Sequence, residues 1–153
     1  MALHGTSSVV EWDERFRLDI PDIDEQHEAL FGMINELWRA LAERHPQDAL
    51  TGILGGLESY TIMHFEAEEE LMRALGYPKL YAHRDAHQAF IRKIAVEKQK
   101  HLDGQPAGLA LLHFLNHWLV DHIETIDREY ADYYARQHKQ RKWLTRMFAA
   151  PRP

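Results

Sequence analysis

The sequence has 153 residues and no cysteine. Disulfides, thiolate zinc sites and iron–sulfur clusters are therefore excluded, and any transition metal must be held by nitrogen and oxygen donors. Long apolar runs are missing too, with nothing near the ~18 uninterrupted apolar residues of a membrane-spanning helix. The first twenty residues carry Glu11, Asp13, Glu14, Arg15 and Arg17 in place of an apolar run, so no secretory leader is expected and the protein reads as cytoplasmic. Basic charge is scarce over most of the chain. Residues 135–153 hold Arg136, Lys139, Arg141, Lys142, Arg146 and Arg152 without an acid, which leaves 12 basic against 24 acidic residues in 1–134. A body at −12 argues against nucleic-acid binding, which needs a basic stripe across the fold. The rest of the composition, 45% hydrophobic and 27% charged, suits one globular domain with a real core.

Apolar periodicity predicts four helices. Residues 1–21 lack it and end in Ile20-Pro21, so they read as an extended, loop-like arm. A first helix is expected over about 23–43, with Asp22 and Asp24 supplying capping and dipole charge and Ile23, His27, Leu30, Ile34, Leu37 and Leu41 recurring at three- and four-residue steps. His45-Pro46 breaks it. A second helix fits Gln47 to Leu75, stopped by Gly76, and its glycines at 52, 55 and 56 suggest close approach of a neighbour or a kink. A third spans about Pro78 to Leu102, and a fourth begins near Pro106, with Leu111, Leu115, Trp118, His122 and Ile126 on one face. Four amphipathic helices with short connections imply an all-α, antiparallel up-down-up-down bundle over 1–134, followed by a basic helical extension over 135–153.

Seven ligand-type side chains fall on the apolar stripes of these helices: His27; His64 and Glu68; His83 and His87; His122 and Asp127. Residues four apart on a helix differ by about 40°, so HxxxE at 64–68 and HxxxH at 83–87 each aim two donors at one point. Unpartnered, such groups would cost several kcal/mol each in desolvation, and coordination removes that penalty. Five imidazoles and two carboxylates exceed what one ion can use, so the set implies a dinuclear centre. Asp127 fits worst, because a five-residue step turns it about 140° from His122; a π-type turn or approach along a bundle flank would be needed. His113 and His117 share the HxxxH spacing but lie about 180° and 140° from His122, and are expected in solvent. His4, His45, His101, His138 and Glu124 also read as surface residues.

The segments IDEQH ending at His27, YTIMHFEAEEELM with His64 and Glu68, YPKLYAHRDAH ending at His87, and WLVDHIETID with His122 and Asp127 together resemble the hemerythrin family, in its single-domain bacterial form. The resemblance spans about residues 11–134 and misses no ligand position. It implies a four-helix bundle holding two iron ions that bind dioxygen reversibly as a carrier or store, and no enzyme. It assigns His83, His87 and His122 to one iron and His27 and His64 to the other, bridged by Glu68, Asp127 and an oxo or hydroxo group. Dioxygen is then expected on the iron with fewer histidines, against an apolar wall of Trp118, Leu119 and Leu115, which lie within about 60° of His122 on their helix. The competing readings are a di-iron oxidase or peroxidase, whose carboxylate-rich paired ExxH motifs are missing here, and an oxygen, redox or iron sensor, which would need a separate partner.

The resemblance leaves out the tail. As a helix, residues 135–148 place Trp143, Leu144, Met147 and Phe148 in an arc of about 140° with basic residues on its flanks. Such a face either folds onto the bundle or the arm, or docks on an acidic partner, another subunit's acidic body or an anionic membrane surface.

Overall fold

The computed structural model describes residues 10–105 and 108–149. Among them helices alone build the fold: α1 (Pro21–Ala42), α2 (Gln47–Leu75), α3 (Leu80–Leu102), α4 (Leu109–Asp121) and α5 (Arg128–Met147), the last two joined by a π-helical turn over His122–Asp127. The residues bounding that turn keep right-handed helical dihedrals, so α4, the turn and α5 form one rod. The result is the expected antiparallel four-helix bundle, in which α1 packs on α2, α2 on α3, and the α4–α5 rod on both α1 and α2.

Local chemistry sets the ends of each helix. Pro21 opens α1 at its first turn, where a missing N–H costs nothing. The aspartates expected to cap α1 do not do so: Ile20 is the cap residue, without a side-chain bond, and Asp24 Oδ1 instead accepts the Leu18 N–H at 2.8 Å. Helix α2 closes on Gly76, at φ 65°, with the Gly76 and Tyr77 N–H groups bonded to the Arg73 and Met72 carbonyls. Helix α3 starts two residues later than expected because Tyr77, Pro78 and Lys79 are used in the turn. The start expected near Pro106 lies outside the described residues; Gly108 caps α4.

Two expectations fail. A Cβ at Gly52, Gly55 or Gly56 would meet nothing within 4 Å, so they mark no close approach, and α2 runs unbroken through them. His101 is buried, not on the surface: its Nε2 lies 3.1 Å from the Gln47 carbonyl, and Gln47 Nε2 donates back to the His101 carbonyl at 2.9 Å. Position 101 continues the seven-residue spacing of His87 and Ile94, which puts it on the inward stripe and ties the end of α3 to the start of α2.

The core is one cluster that includes Leu30, Phe31, Ile34, Leu54, Leu57, Phe65, Phe90, Leu112 and Leu115. The described part of the arm joins it through Phe16, whose ring centroid is 5.0 Å from that of Phe31. Arg128 straps the arm down, donating Nη1 to the Arg17 carbonyl at 2.9 Å and Nη2 to the Arg15 carbonyl at 2.8 Å. At the far end, α5 continues to Met147 with its last two turns exposed.

Candidate metal centre

All seven nominated side chains converge in the bundle interior and are at most 3% exposed. His27 comes from α1, His64 and Glu68 from α2, and His83 and His87 from α3. His122 and Asp127 stand at the two ends of the π-turn. A turn closed by i→i+5 hydrogen bonds stacks residues five apart much as an α-turn stacks residues four apart, which brings Asp127 under His122.

Their donor atoms form two groups, Glu68, His83, His87, His122 and Asp127 in one and His27, His64 and Glu68 in the other. In the first, His122 Nε2 lies 3.2 Å from the Nε2 atoms of both His83 and His87, and Asp127 Oδ1 is 3.0 Å from His83 Nε2 and 3.1 Å from His122 Nε2. Glu68 Oε2 approaches His87 Nε2 at 3.1 Å. In the second, Glu68 Oε1 is 3.1 Å from the Nε2 atoms of both His27 and His64, and Asp127 Oδ2 is 3.2 Å from His27 Nε2. Each carboxylate thus presents one oxygen to each group.

These spacings suit metal ions better than protons. Neighbouring donors of an octahedral ion with ~2.1 Å bonds stand about 3.0 Å apart. Glu68 Oε2 and both Asp127 oxygens are buried against imidazole Nε2 atoms, and while those nitrogens carry no proton the oxygens lack a donor, an expensive state for carboxylates that a bound cation relieves. An all-nitrogen-and-oxygen set of this composition fits two transition-metal ions. Without metal, protons balance the charge. Burial disfavours imidazolium at His27 and His83, yet hydrogen bonds and attraction from Asp127 and Glu68 prevail and raise both to about 9. Burial likewise works against the Glu68 and Asp127 carboxylates, and Glu68 adds repulsion on Asp127; the surrounding imidazoles win and hold both below the ordinary carboxylate range. Metal loading exchanges those protons for cations.

Three further residues, which sequence reasoning passed over, orient the donors. His64 Nδ1 lies 2.7 Å from Gln26 Oε1, and His87 Nδ1 lies 3.1 Å from Glu69 Oε1. Only oxygen acceptors face these nitrogens, so each Nδ1 carries the proton and each Nε2 keeps its lone pair for the centre. The buried Tyr130 hydroxyl donates to Glu68 Oε1 at 3.0 Å; burial and the Glu68 charge push its pKa well above the usual phenol value. Each had a sequence signal: Gln26 precedes His27, Glu69 follows Glu68, and Tyr130 is one helical turn beyond Asp127. His113 and His117 are exposed, and Glu124 sits at the surface 3.3 Å from Arg15.

One turn from the donors lies a small apolar cavity. Leu30, Thr61, Phe90 and Leu119 line it, three residues after His27, before His64, after His87 and before His122. That alternation of sign is what an up-down-up-down bundle requires of one shared layer. Trp118, Leu119 and Leu115 all line the cavity, and Trp118 stacks on His122 with ring centroids 4.3 Å apart. Phe65 lies flat against His87 at 3.7 Å. The one hydroxyl in the lining, on Thr61, donates to the Leu57 carbonyl at 2.7 Å.

Comparison with known proteins agrees with this geometry. The model of the hemerythrin HHE cation binding domain matches residues 18–134. A bacteriohemerythrin of Stenotrophomonas maltophilia is 33% identical over 147 residues, covering 91% of this chain and 95% of the relative. A hemerythrin-like protein of Naegleria gruberi is 32% identical over 123 residues, 80% of this chain and 92% of its own. The crystal structure of a wild-type hemerythrin superposes with a TM-score of 0.76 at 28% identity, covering 81% of this chain and 96% of that one.

Proposed function

The chain belongs to the hemerythrin family, and from that premise we propose that it binds dioxygen reversibly at a non-haem di-iron centre, as a carrier or store and not as an enzyme. In this reading His83, His87 and His122 would hold one iron and His27 and His64 the other, with Glu68 and Asp127 shared between the two. When bound, two iron ions would supply the two electrons that dioxygen takes up and gives back. The unequal division of imidazoles leaves the His27 and His64 half short of one protein donor.

The observation that carries the reading is the cavity one turn from these histidines. Its walls are aliphatic and aromatic, and the single hydroxyl among them is committed to its own helix backbone. Such walls exclude water and offer dioxygen space without a proton to trap it as peroxide. Trp118, Leu119 and Leu115 are assigned to this role. Around the donors, Gln26 and Glu69 keep the Nδ1 protons of His64 and His87 in place, while Tyr130 steadies Glu68. Five imidazoles against two carboxylates also favour carrying dioxygen over activating it.

The test is a dioxygen titration of the anaerobically reduced protein. Uptake of one dioxygen per iron pair, its return under argon and no free peroxide are expected. Catalytic consumption of reductant with release of peroxide or water would replace the carrier by an oxidase. A Leu119→Ser variant, which puts a hydroxyl into the cavity wall, should bind the same amount of metal and lose its oxygenated form faster. An unchanged lifetime would remove the cavity from the mechanism.

A further inference from the structure

The chain has 11 histidines, and the candidate metal centre draws on five of them. Two of the others stand on the opposite side of a helix that serves that centre. Helix α4 is regular from Leu109 to Asp121, and its buried residues Leu111, Leu112, Leu115 and Leu119 face the core. At about 100° per residue, His113, His117 and Asp121 share an arc of about 80° whose middle is turned roughly 175° from the middle of that apolar stripe. All three are exposed. The helix thus aims a row of metal-ligand side chains, one turn apart, straight into water.

These three groups are also uncommitted. Elsewhere on the surface His45 meets Glu43 at 2.8 Å and Glu124 meets Arg15 at 3.3 Å. Among the described residues, neither α4 imidazole nor the Asp121 carboxylate has a hydrogen-bond, ion-pair or ring partner. The chain itself shows what the HxxxH spacing can do on a regular helix: on α3 the rings of His83 and His87 lie 4.5 Å apart and their nitrogens join one donor group. Residues four apart have Cβ atoms about 6 Å from each other, and two imidazoles close that gap to the ~3.3 Å between neighbouring ligands of a tetrahedral ion. The α4 pair differs from the α3 pair in having no buried carboxylate between its rings and open solvent around them.

We propose that His113 and His117 form a second, exchangeable metal site on the outer face of α4, which takes one zinc, nickel or copper ion per chain with water filling the remaining positions. Donor type selects this class of ion. Imidazole nitrogen suits these metals and not magnesium or calcium, and among them copper binds tightest. Local charge favours a cation as well. Asp121 continues the row one turn beyond His117, and the body of the protein carries 24 acidic against 12 basic residues over 1–134. Lys93, whose Nζ lies 5.6 Å from the ring of Phe114 beside His113, is paired with Glu97 at 2.9 Å. The site shares no donor with the buried centre, so it fills and empties without opening the bundle.

Calorimetric titration of zinc into the full-length protein, its buried centre already loaded with iron, tests the site. Saturable uptake of one zinc per chain is expected, with tighter binding of copper and none of magnesium. His113→Ala and His117→Ala should each weaken zinc binding by roughly tenfold or more while iron content stays unchanged. His45→Ala and His138→Ala, which remove single surface imidazoles, should leave it intact. Zinc should also raise the thermal midpoint of the parent protein more than that of His113→Ala, because binding to the folded state alone stabilises it. No saturable uptake up to millimolar zinc would overturn the proposal, as would binding that survives both α4 substitutions or is lost equally with His45→Ala. Magnesium binding as tight as that of zinc would assign the uptake to carboxylates and overturn it too.

Discussion

At the residue scale, burial and mutual distance separate the donor histidines from the others. His83 and His113 both head an HxxxH repeat, yet one is 2% exposed beside Asp127 and the other stands in solvent. His64→Ala or Glu68→Ala should therefore drop iron well below about two per chain, while His113→Ala and His117→Ala leave it unchanged. Elemental analysis after gel filtration reads the difference, and equal loss in both sets would rule out the assigned centre. Tyr130 acts one step further out. Removing its hydroxyl takes away a buried donor to Glu68 Oε1, so Tyr130→Phe should weaken metal retention about 10- to 100-fold in chelator competition. Unchanged retention would reduce Tyr130 to packing.

At the scale of the element, helices tolerate departures from good helical sequence where function or geometry asks for them, and sometimes where nothing does. The π-turn over His122–Asp127 has a purpose, since it brings a carboxylate five residues on to the same centre as His122. The glycines of α2 have none in this structure. With nothing within 4 Å of where a methyl group would stand and helical dihedrals throughout, Gly56→Ala should stabilise the fold by about 0.5–1 kcal/mol. Gly76 is the opposite case, because φ 65° suits only glycine without strain, and Gly76→Ala should cost about 1 kcal/mol. Urea unfolding of the two variants should give shifts of opposite sign; a destabilised Gly56→Ala would reveal a role for that glycine.

At the scale of the whole molecule, the candidate metal centre lies in the buried interior, so metal loading there would couple to folding. In the metal-free protein His27 and His83 are raised from an ordinary value of 6.5 to about 9. The stability they contribute is fully present below about pH 6.5 and is lost as pH rises through about 9. Glu68 and Asp127, shifted downward, contribute above the ordinary carboxylate range and lose that contribution only on acidification. The thermal midpoint of the metal-free protein should therefore fall between about pH 7 and pH 10, while that of the metal-loaded protein, with no protons on these histidines, stays nearly level. Parallel slopes in the two forms would contradict the proton-for-metal exchange.

Much of this was legible in one dimension. Helical periodicity and the breakers His45-Pro46 and Gly76 located α1 and α2 to within a residue or two, because local backbone preference and the apolar stripe agree there. The seven side chains that cluster could be named because unpaired imidazoles and carboxylates do not survive on an apolar stripe, and a repeated HxxxE or HxxxH on such stripes is local information. Other features depend on what lies across the bundle. Sequence left two routes open for Asp127, and the structure takes the π-turn, which sets Asp127 between His27 of α1 and His83 of α3. His101 looked like a helix-end surface residue because its partner, Gln47, is 54 positions away. The tyrosine on Glu68 and the cavity one turn from the histidines arise where four helices meet at a common height. The sequence by itself determined the four helices and the side chains that make up the candidate centre, since both follow from residue type and spacing. The tertiary structure alone decided which oxygen of each carboxylate faces which group and what wall lies beside them, since these depend on the relative rotation of helices that no single helix specifies.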